Sequence, residues 1–328
     1  MTSVTHDSSH GGQPTGLAGG SRLSAGLVFA VVSAVSFGLS GVLARGLLDT
    51  GWSPGAVVLT RIAIGALVVT PVGVVALRGR WRLLRRGAGL VVAYGLLGVA
   101  GAQFCFFAAV ARMQVGPALM IEYTAPAAVV LWLWLRHGQR PGPVTLGGAG
   151  LAALGLVLVL DLVSGPGLDP VGVLWALAAM VGLTGYFVIS ADEGNGLPPM
   201  TLAAGGLLVG GAILGLLALV GVLPMRSAAV AASYAGRTVA WWLPLVALGL
   251  VTAAVAYSTG IAAGRRLGSR LASFVALLEV VAAIGFAWLL LAELPHATQL
   301  VGGLLILAGV VVVKLGERSV ARRAPAPA

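Results

Sequence analysis

The sequence predicts an all-α integral membrane protein: ten transmembrane helices arranged as two inverted five-helix repeats. Three observations predict it. Residues Gly95–Val159 lie over Gly249–Val313 with no gap, at a constant offset of 154. The overlay matches Arg112 with Arg266, Trp134 with Trp288, Pro141 with Pro295, Gly148 with Gly302 and Gly155 with Gly309. The chain is also 59% hydrophobic and only 9% charged, with a mean hydropathy of +1.01. A soluble protein of 328 residues could not keep such a surface in water. Thirdly, the basic residues sit in short clusters between apolar runs, where they act as topology signals. The duplicated block is almost wholly apolar and is therefore a set of membrane helices rather than a soluble solenoid.

Apolar runs between breakers define the elements. The first half holds Ser24–Leu47, Pro54–Ala76, Ala88–Ala108, Val115–Leu135 and Val144–Leu162. The second holds Val171–Ser190, Met200–Val222, Trp242–Ala262, Leu271–Leu291 and Thr298–Lys314. Each is near the roughly 20 residues that cross a bilayer. Pro54, Pro143 and Pro170 stand at or just before helix starts, where a missing N–H costs nothing. The 49 glycines suit close helix approach in lipid, and Gly148, Gly155, Gly302 and Gly309 put small residues at matched places on the fifth and tenth spans. The repeats are expected over 23–162 and 171–315. They are flanked by a Gly/Ser/Thr-rich tail over 1–22 and a basic, Pro-rich tail over 316–328, both disordered by composition.

Direction follows from the positive charges. With a cytoplasmic N-terminus, fifteen basic residues face inward and Arg45, Arg112, Arg226 and Arg237 face outward, with Arg61 inside a span. Both termini are then cytoplasmic. Because each half has an odd number of spans, the second enters from the opposite side, which is the geometry of inverted-repeat transporters with a site between the halves. The pI of about 11.2 does not indicate nucleic acid, since the basic residues never gather on one face. Cys105 is the single cysteine, so neither an internal disulfide nor a cysteine metal site is possible.

Three segments carry a family resemblance. Leu271–Pro295 reads LASFVALLEVVAAIGFAWLLLAELP, Val301–Glu317 reads VGGLLILAGVVVVKLGE, and Thr124–Pro126 reads TAP in the fourth span. With Arg61 in VVLTRIAIGAL and Glu293 at an acidic span end, the chain resembles the EamA family of the drug/metabolite transporter superfamily over roughly Leu23–Arg318. Gln139 departs from the pattern by replacing the acid in the first repeat. The resemblance implies ten spans, two inverted repeats and a central cavity. Family members resemble one another while moving amino acids, other metabolites, purines or toxic compounds, commonly outward.

Glu122 and Glu279 are the only carboxylates well inside spans. An intramembrane acid is costly and points to a pathway for ions or solutes: it can carry a proton or meet a cationic amine. On the overlay Glu279 equals Ala125, so the two acids fall one turn apart on one face of equivalent helices. Arg61 lies about 10 Å into the second span at 1.5 Å per residue. Glu122 sits at a similar depth, so an Arg61–Glu122 ion pair is one expectation and an Arg61 contact to a substrate carboxylate the other. Gln103 and Tyr257 occupy equivalent positions and could hydrogen-bond a polar solute. Tyr123, Tyr186, Ser258 and Thr259 are weaker candidates, because such groups in membrane helices commonly bond their own backbone or a neighbouring helix. Trp132, Trp134, Trp241 and Trp242 read as interfacial anchors.

No catalytic constellation and no metal-ligand spacing occurs; His137 and His296 stand alone at span ends. Neither an enzyme nor a cofactor is expected. The expectation is an inner-membrane exporter of small polar metabolites, amino acids or amphipathic organic cations first, working by alternating access with protons as the candidate coupling ion. Its expected partners are the solute and the lipid bilayer. The cavity would be lined from spans one, three, four, six, eight and nine, with five and ten packed peripherally. A passive facilitator is the alternative, and a non-transporting scaffold or sensor is disfavoured by the absence of any inter-span segment beyond about 20 residues, well short of a domain.

Overall fold

Helices of the computed structural model begin and end largely where the apolar runs do. The structure describes residues 17–125, 127–128, 134–135, 142–159, 168–190 and 196–321. In chain order these are α1 (Leu17–Leu48), α2 (Pro54–Leu77), the short α3 (Trp81–Arg86) and α4 (Ala88–Ala93). A π-helical segment over Tyr94–Gly101 then leads into α5 (Ala102–Val110), followed by α6 (Val115–Glu122), α7 (Pro143–Val159), α8 (Pro170–Ser190) and α9 (Pro199–Leu219). The strands β1 (Ala232–Tyr234) and β2 (Arg237–Val239) come next, and α10 (Trp242–Gly249) with a second π-helical segment, Leu250–Val255. The chain closes with α11 (Ala256–Ala276), α12 (Leu278–Leu291) and α13 (Ala297–Ala321).

Among the described residues six helices are long and apolar enough to cross a membrane: Ser24–Leu48, Pro54–Leu77, Ala88–Val110, Pro170–Ser190, Pro199–Leu219 and Trp242–Gly264. Pro143–Val159, Leu278–Leu291 and Ala297–Val313 are shorter apolar helices. The fourth expected span differs most. Its helix α6 stops at Glu122, Tyr123 and Thr124 form a turn, and most of the stretch to Leu135 lies outside the described residues. Thr124 closes that turn by donating its hydroxyl to the Ile121 carbonyl at 2.7 Å. Both terminal helices outrun the apolar patterning, α1 beginning at Leu17 and α13 reaching Ala321. Apolarity marks where lipid ends, whereas backbone hydrogen bonding continues a helix into water.

The duplication is visible in backbone irregularities. The π-helical segments Tyr94–Gly101 and Leu250–Val255 overlap at the repeat offset. The break at Tyr123 corresponds to Leu277, the residue between α11 and α12. The halves interlock rather than stand side by side. α1 packs on α11 and α12, α2 on α10 and the second π-helical segment, α8 on α5 and α6, and α9 on the first π-helical segment. Along α1, Gly26 lies against Leu267 and Ser33 against Ala256 and Gly260, so the start of α11 runs antiparallel to it. Gly38 then meets Glu279 and Ala282, and Arg45 meets Glu293, so α12 runs parallel to α1 and the chain has reversed between them.

α7 and α13 form a separate pair closed on glycine. A methyl built on Gly148 would come 2.7 Å from the Gly309 carbonyl oxygen, and one on Gly302 would come 2.6 Å from that of Gly155. Each backbone therefore lies directly on the other.

One end of the bundle is sealed by polar contacts between the halves. Arg45 pairs with Asp49 at 3.0 Å and donates to the carbonyls of Val110 at 2.7 Å and Met113 at 3.2 Å. Glu293 accepts the Val115 N–H at 3.2 Å and lies 3.8 Å from Arg45. Burial pushes the Glu293 carboxyl above its ordinary range, and the Val115 N–H and Arg45 pull it partly back. Arg112 bonds Asp169 at 3.2 Å.

The hairpin β1–β2 covers the same end and is absent from the helix-only expectation. Its two-residue turn, Ala235–Gly236, has positive φ at both positions, as a type I′ turn requires. Tyr234 donates its hydroxyl to the Leu43 carbonyl at 2.7 Å, and the Ala235 N–H donates to the Leu290 carbonyl at 2.7 Å. Nearby, Trp52 and Trp241 pack ring on ring at 5.9 Å, and Ser53 caps α2 while accepting the Arg226 N–H at 3.0 Å.

Candidate functional site

Inside the bundle, polar and aromatic side chains from both halves meet. α2 carries Arg61, 1% exposed, among Val57, Val58 and Ile62, which bury the same helix face. A guanidinium in apolar surroundings needs its donors met. One Nη donates to the Gln103 side-chain oxygen, the other to the Thr252 carbonyl at 2.6 Å, and the group stands 5.5 Å over the Phe107 ring. Thr252 lies inside the second π-helical segment. The altered backbone bonding of a π turn is a common feature of functional sites, and here that turn presents a carbonyl to a cation.

Gln103 also lies beside the Tyr257 hydroxyl. These two residues are repeat equivalents, so the meeting of their side chains places them where the halves face one another. Tyr257 is 2% exposed and contacts Phe37 of α1 edge-on at 5.0 Å and Tyr186 of α8 at 6.3 Å. Tyr186 in turn packs on Tyr94 at 5.7 Å.

The acids have different settings. Glu279 sits in the first turn of α12, where the helix dipole favours a negative group. It accepts the Tyr123 hydroxyl at 2.6 Å and is partly exposed. The break after Glu122 carries Tyr123 out of the α6 helix and lets its hydroxyl meet an acid from the other half. Glu122 is 5% exposed, and among the described residues no hydrogen bond or ion pair reaches it. Both acids lie within electrostatic reach of Arg61.

Of the seven candidates, Arg61, Gln103, Tyr257 and Tyr186 follow one another through hydrogen bonds and ring contacts, Tyr123 and Glu279 form a pair of their own, and Glu122 is within electrostatic reach of Arg61 without a described bond. The expected Arg61–Glu122 ion pair does not form. Equal depth fixes the level of two side chains but not their facing, and Gln103 and the Thr252 carbonyl take the guanidinium instead. Thr259 bonds its own helix at the Val255 carbonyl, 2.7 Å away, and does not join the layer. Four participants carried no sequence signal that separated them from packed core: Phe37, Tyr94, Phe107 and the Thr252 backbone. Tyr94 is fully buried with an unbonded hydroxyl. Among the described residues no group of His, Cys, Asp and Glu could hold a metal ion.

The EamA-like transporter family model matches residues 24–161 and again 170–315. None of the curated proteins matches. A solved structure described only as the crystal structure of a protein is 23% identical, with a TM-score of 0.60 over 90% of this chain and 99% of that one; at this identity the likeness speaks to the fold.

Proposed function

The chain belongs to the EamA-like transporter family, matched twice along its length, and from that premise we propose that it carries small polar or amphipathic solutes through the layer around Arg61, Tyr257 and Glu279 by alternating access. The family makes it a multi-pass membrane transporter of the drug/metabolite type. Our reading adds ten spans, repeats over 23–162 and 171–315, both termini in the cytoplasm of a cell whose inner membrane holds the protein, and outward movement.

One observation supports the reading most: the polar layer is supplied by helices of both halves, with the repeat equivalents Gln103 and Tyr257 face to face in a predominantly apolar bundle. A relative tilt of the halves would part that layer toward one side and then the other. The sealed end built on Arg45, Glu293 and the β1–β2 hairpin fits a conformation closed on that side. Glu279, partly exposed and held by one tyrosine hydroxyl, is the group we assign to proton coupling.

The test is uptake into liposomes containing the purified protein, with amino acids and organic cations in competition, with and without an imposed pH gradient. Accumulation of one class driven by the gradient is expected. Equilibration without accumulation would make the protein a facilitator and return Glu122 and Glu279 to structural roles. The E122Q/E279Q protein is expected to lose the pH dependence of transport.

A further inference from the structure

We propose that the Arg78–Arg86 segment is a docking surface for anionic phospholipid, its arginines taking the headgroup phosphodiester at the end of the bundle opposite the seal. The proposal needs the chain to be embedded in a membrane and is independent of which solute crosses it. It stands on where the segment lies, what its arginines lack and what stands among them.

The last turns of α2 carry an apolar surface outward: Val72, Val74 and Val75 are exposed, Val75 by 74%. Arg78 comes three residues after Val75, about 4.5 Å further at the helical rise. The arginines therefore begin where hydrocarbon gives way to headgroups. Arg78 and Gly79 have positive φ, 48° and 75°, and turn the chain out of α2. α3 then rests on the protein through Leu83 and Leu84, with Gly196 beside Leu83 and Leu197 against Gly87. One side of the segment is anchored and the other is open.

Arg78, Arg80, Arg82, Arg85 and Arg86 are all exposed, and among the described residues no ion pair reaches any of them. Arg80 alone has a hydrogen bond, from Nε to the Leu77 carbonyl at 3.4 Å. Arg266, elsewhere at the same end, is by contrast engaged by the Phe29 ring at 4.8 Å and the Ala262 carbonyl at 3.1 Å. Asp192 and Glu193, which precede Leu197 in sequence and lie outside the described residues, can offset at most two of the five arginines. A guanidinium is a planar fork matched to phosphate oxygens, and a basic cluster just past a membrane helix suits anionic headgroups.

Trp81 stands between Arg80 and Arg82 and is 53% exposed. An indole belongs at headgroup level, its apolar face toward acyl chains and its N–H toward water. A soluble acidic protein or a nucleic acid would pair the arginines and leave that ring and the valines of α2 uncovered. An anionic lipid meets all of them with one molecule, its phosphate on the arginines and its chains on Trp81 and the valines.

The experiment titrates the full-length protein in neutral detergent with short-chain phosphatidylglycerol, with phosphatidylcholine of the same chains and with glycerol phosphate, counting bound molecules by native mass spectrometry. Phosphatidylglycerol is expected to bind at least about tenfold more tightly than phosphatidylcholine. R82Q/R85Q should weaken phosphatidylglycerol about tenfold, whereas R226Q/R237Q, which removes the same charge from exposed arginines at the sealed end, should change it by less than about threefold. Excess glycerol phosphate should leave the lipid bound. Each variant is first checked for an unchanged thermal unfolding midpoint, and R80Q/R86Q takes the place of R82Q/R85Q if that pair fails the check.

Equal binding of the two lipids, or undiminished binding in R82Q/R85Q, would overturn the proposal. An equal loss in R226Q/R237Q would overturn it by reducing the effect to net charge. Displacement of the lipid by glycerol phosphate would overturn it in favour of a site for free phosphates. None of these outcomes touches the transport reading, which uptake into liposomes tests separately.

Discussion

The α7–α13 pair and the central polar layer are products of the same duplication, and they have used it in opposite ways. In the pair, the repeats kept identical residues: Gly148 and Gly302 correspond, as do Gly155 and Gly309, and each glycine lies on the backbone opposite the counterpart of the other. In the layer, equivalent positions have diverged. Gln103 faces Tyr257, Glu122 corresponds to Ala276 and Glu279 to Ala125. Backbone-to-backbone contact leaves no room for a different residue, whereas a polar layer balanced on one arginine requires the two copies to differ. Symmetry is kept where helices must touch and lost where a solute would be met.

The largest expected effect breaks the symmetric region. Gly309→Leu places a branched side chain where even a methyl would come 2.6 Å from the Gly148 carbonyl oxygen and the Ala152 nitrogen. Neither is a flexible group that can move aside. The substitution is expected to destabilise the protein by about 3 kcal/mol, seen as a large drop in the thermal unfolding midpoint in detergent. An unchanged midpoint would mean that the pair is not closed on backbone as described.

The next effect is specific to the layer. Arg61→Met removes the donor to the Gln103 side chain and the Thr252 carbonyl and leaves Glu122 and Glu279 without a countercharge. A loss of about 3 kcal/mol is expected. Adding Glu122→Gln to Arg61→Met should recover part of it, since one acid needs a countercharge less. A double variant no more stable than Arg61→Met would show that the acids do not depend on Arg61.

Sequence and structure agree most closely where one residue type has one structural use. The matched glycines fall where α7 and α13 touch, although the sequence did not say that these two spans pair, and Pro54 and Pro143 stand at helix starts. The rest depended on geometry that residue types do not encode. That Arg61 would bond a carbonyl in a π-helical segment could not be read, because the π turn is a property of the backbone and Thr252 looks like any helical threonine. Phe37 and Tyr94 belong to the layer only because α1 and the first π-helical segment turn those faces inward. The β1–β2 hairpin did have a signal, the alternating Ser233–Val239 stretch around Ala235–Gly236, but three-residue strands are too short for periodicity to register them.

At the sealed end the effects are smaller. Tyr234→Phe removes one hydroxyl, the bond to the Leu43 carbonyl, and keeps the ring against Gly46. About 1 kcal/mol of stability should be lost, with faster deuterium exchange of the β1–β2 amides. If exchange there is unaltered, that bond does not hold the hairpin on α1.

The smallest effects separate two acids at that end by sign. Burial raises the Glu293 pKa, so the folded state binds its proton more tightly than the unfolded chain does. Its contribution to stability is fully present below the ordinary glutamate range and is lost as pH rises through the raised value. Asp169 is the opposite case. The Val171 N–H, bonded at 2.7 Å, does most to lower its pKa, helped by Arg112 and the Gly172 N–H. Its contribution is present above the ordinary aspartate range and is lost as pH falls through the lowered value. Stability measured from pH 3 to 8 should therefore change slope in opposite senses for the two variants. Glu293→Gln removes a term that declines with rising pH, and Asp169→Asn removes one that grows. If both variants shift the curve in the same sense, the end is not held by a buried acid on one side and a helix-capping acid on the other, and the asymmetry between the two halves would be confined to the central layer.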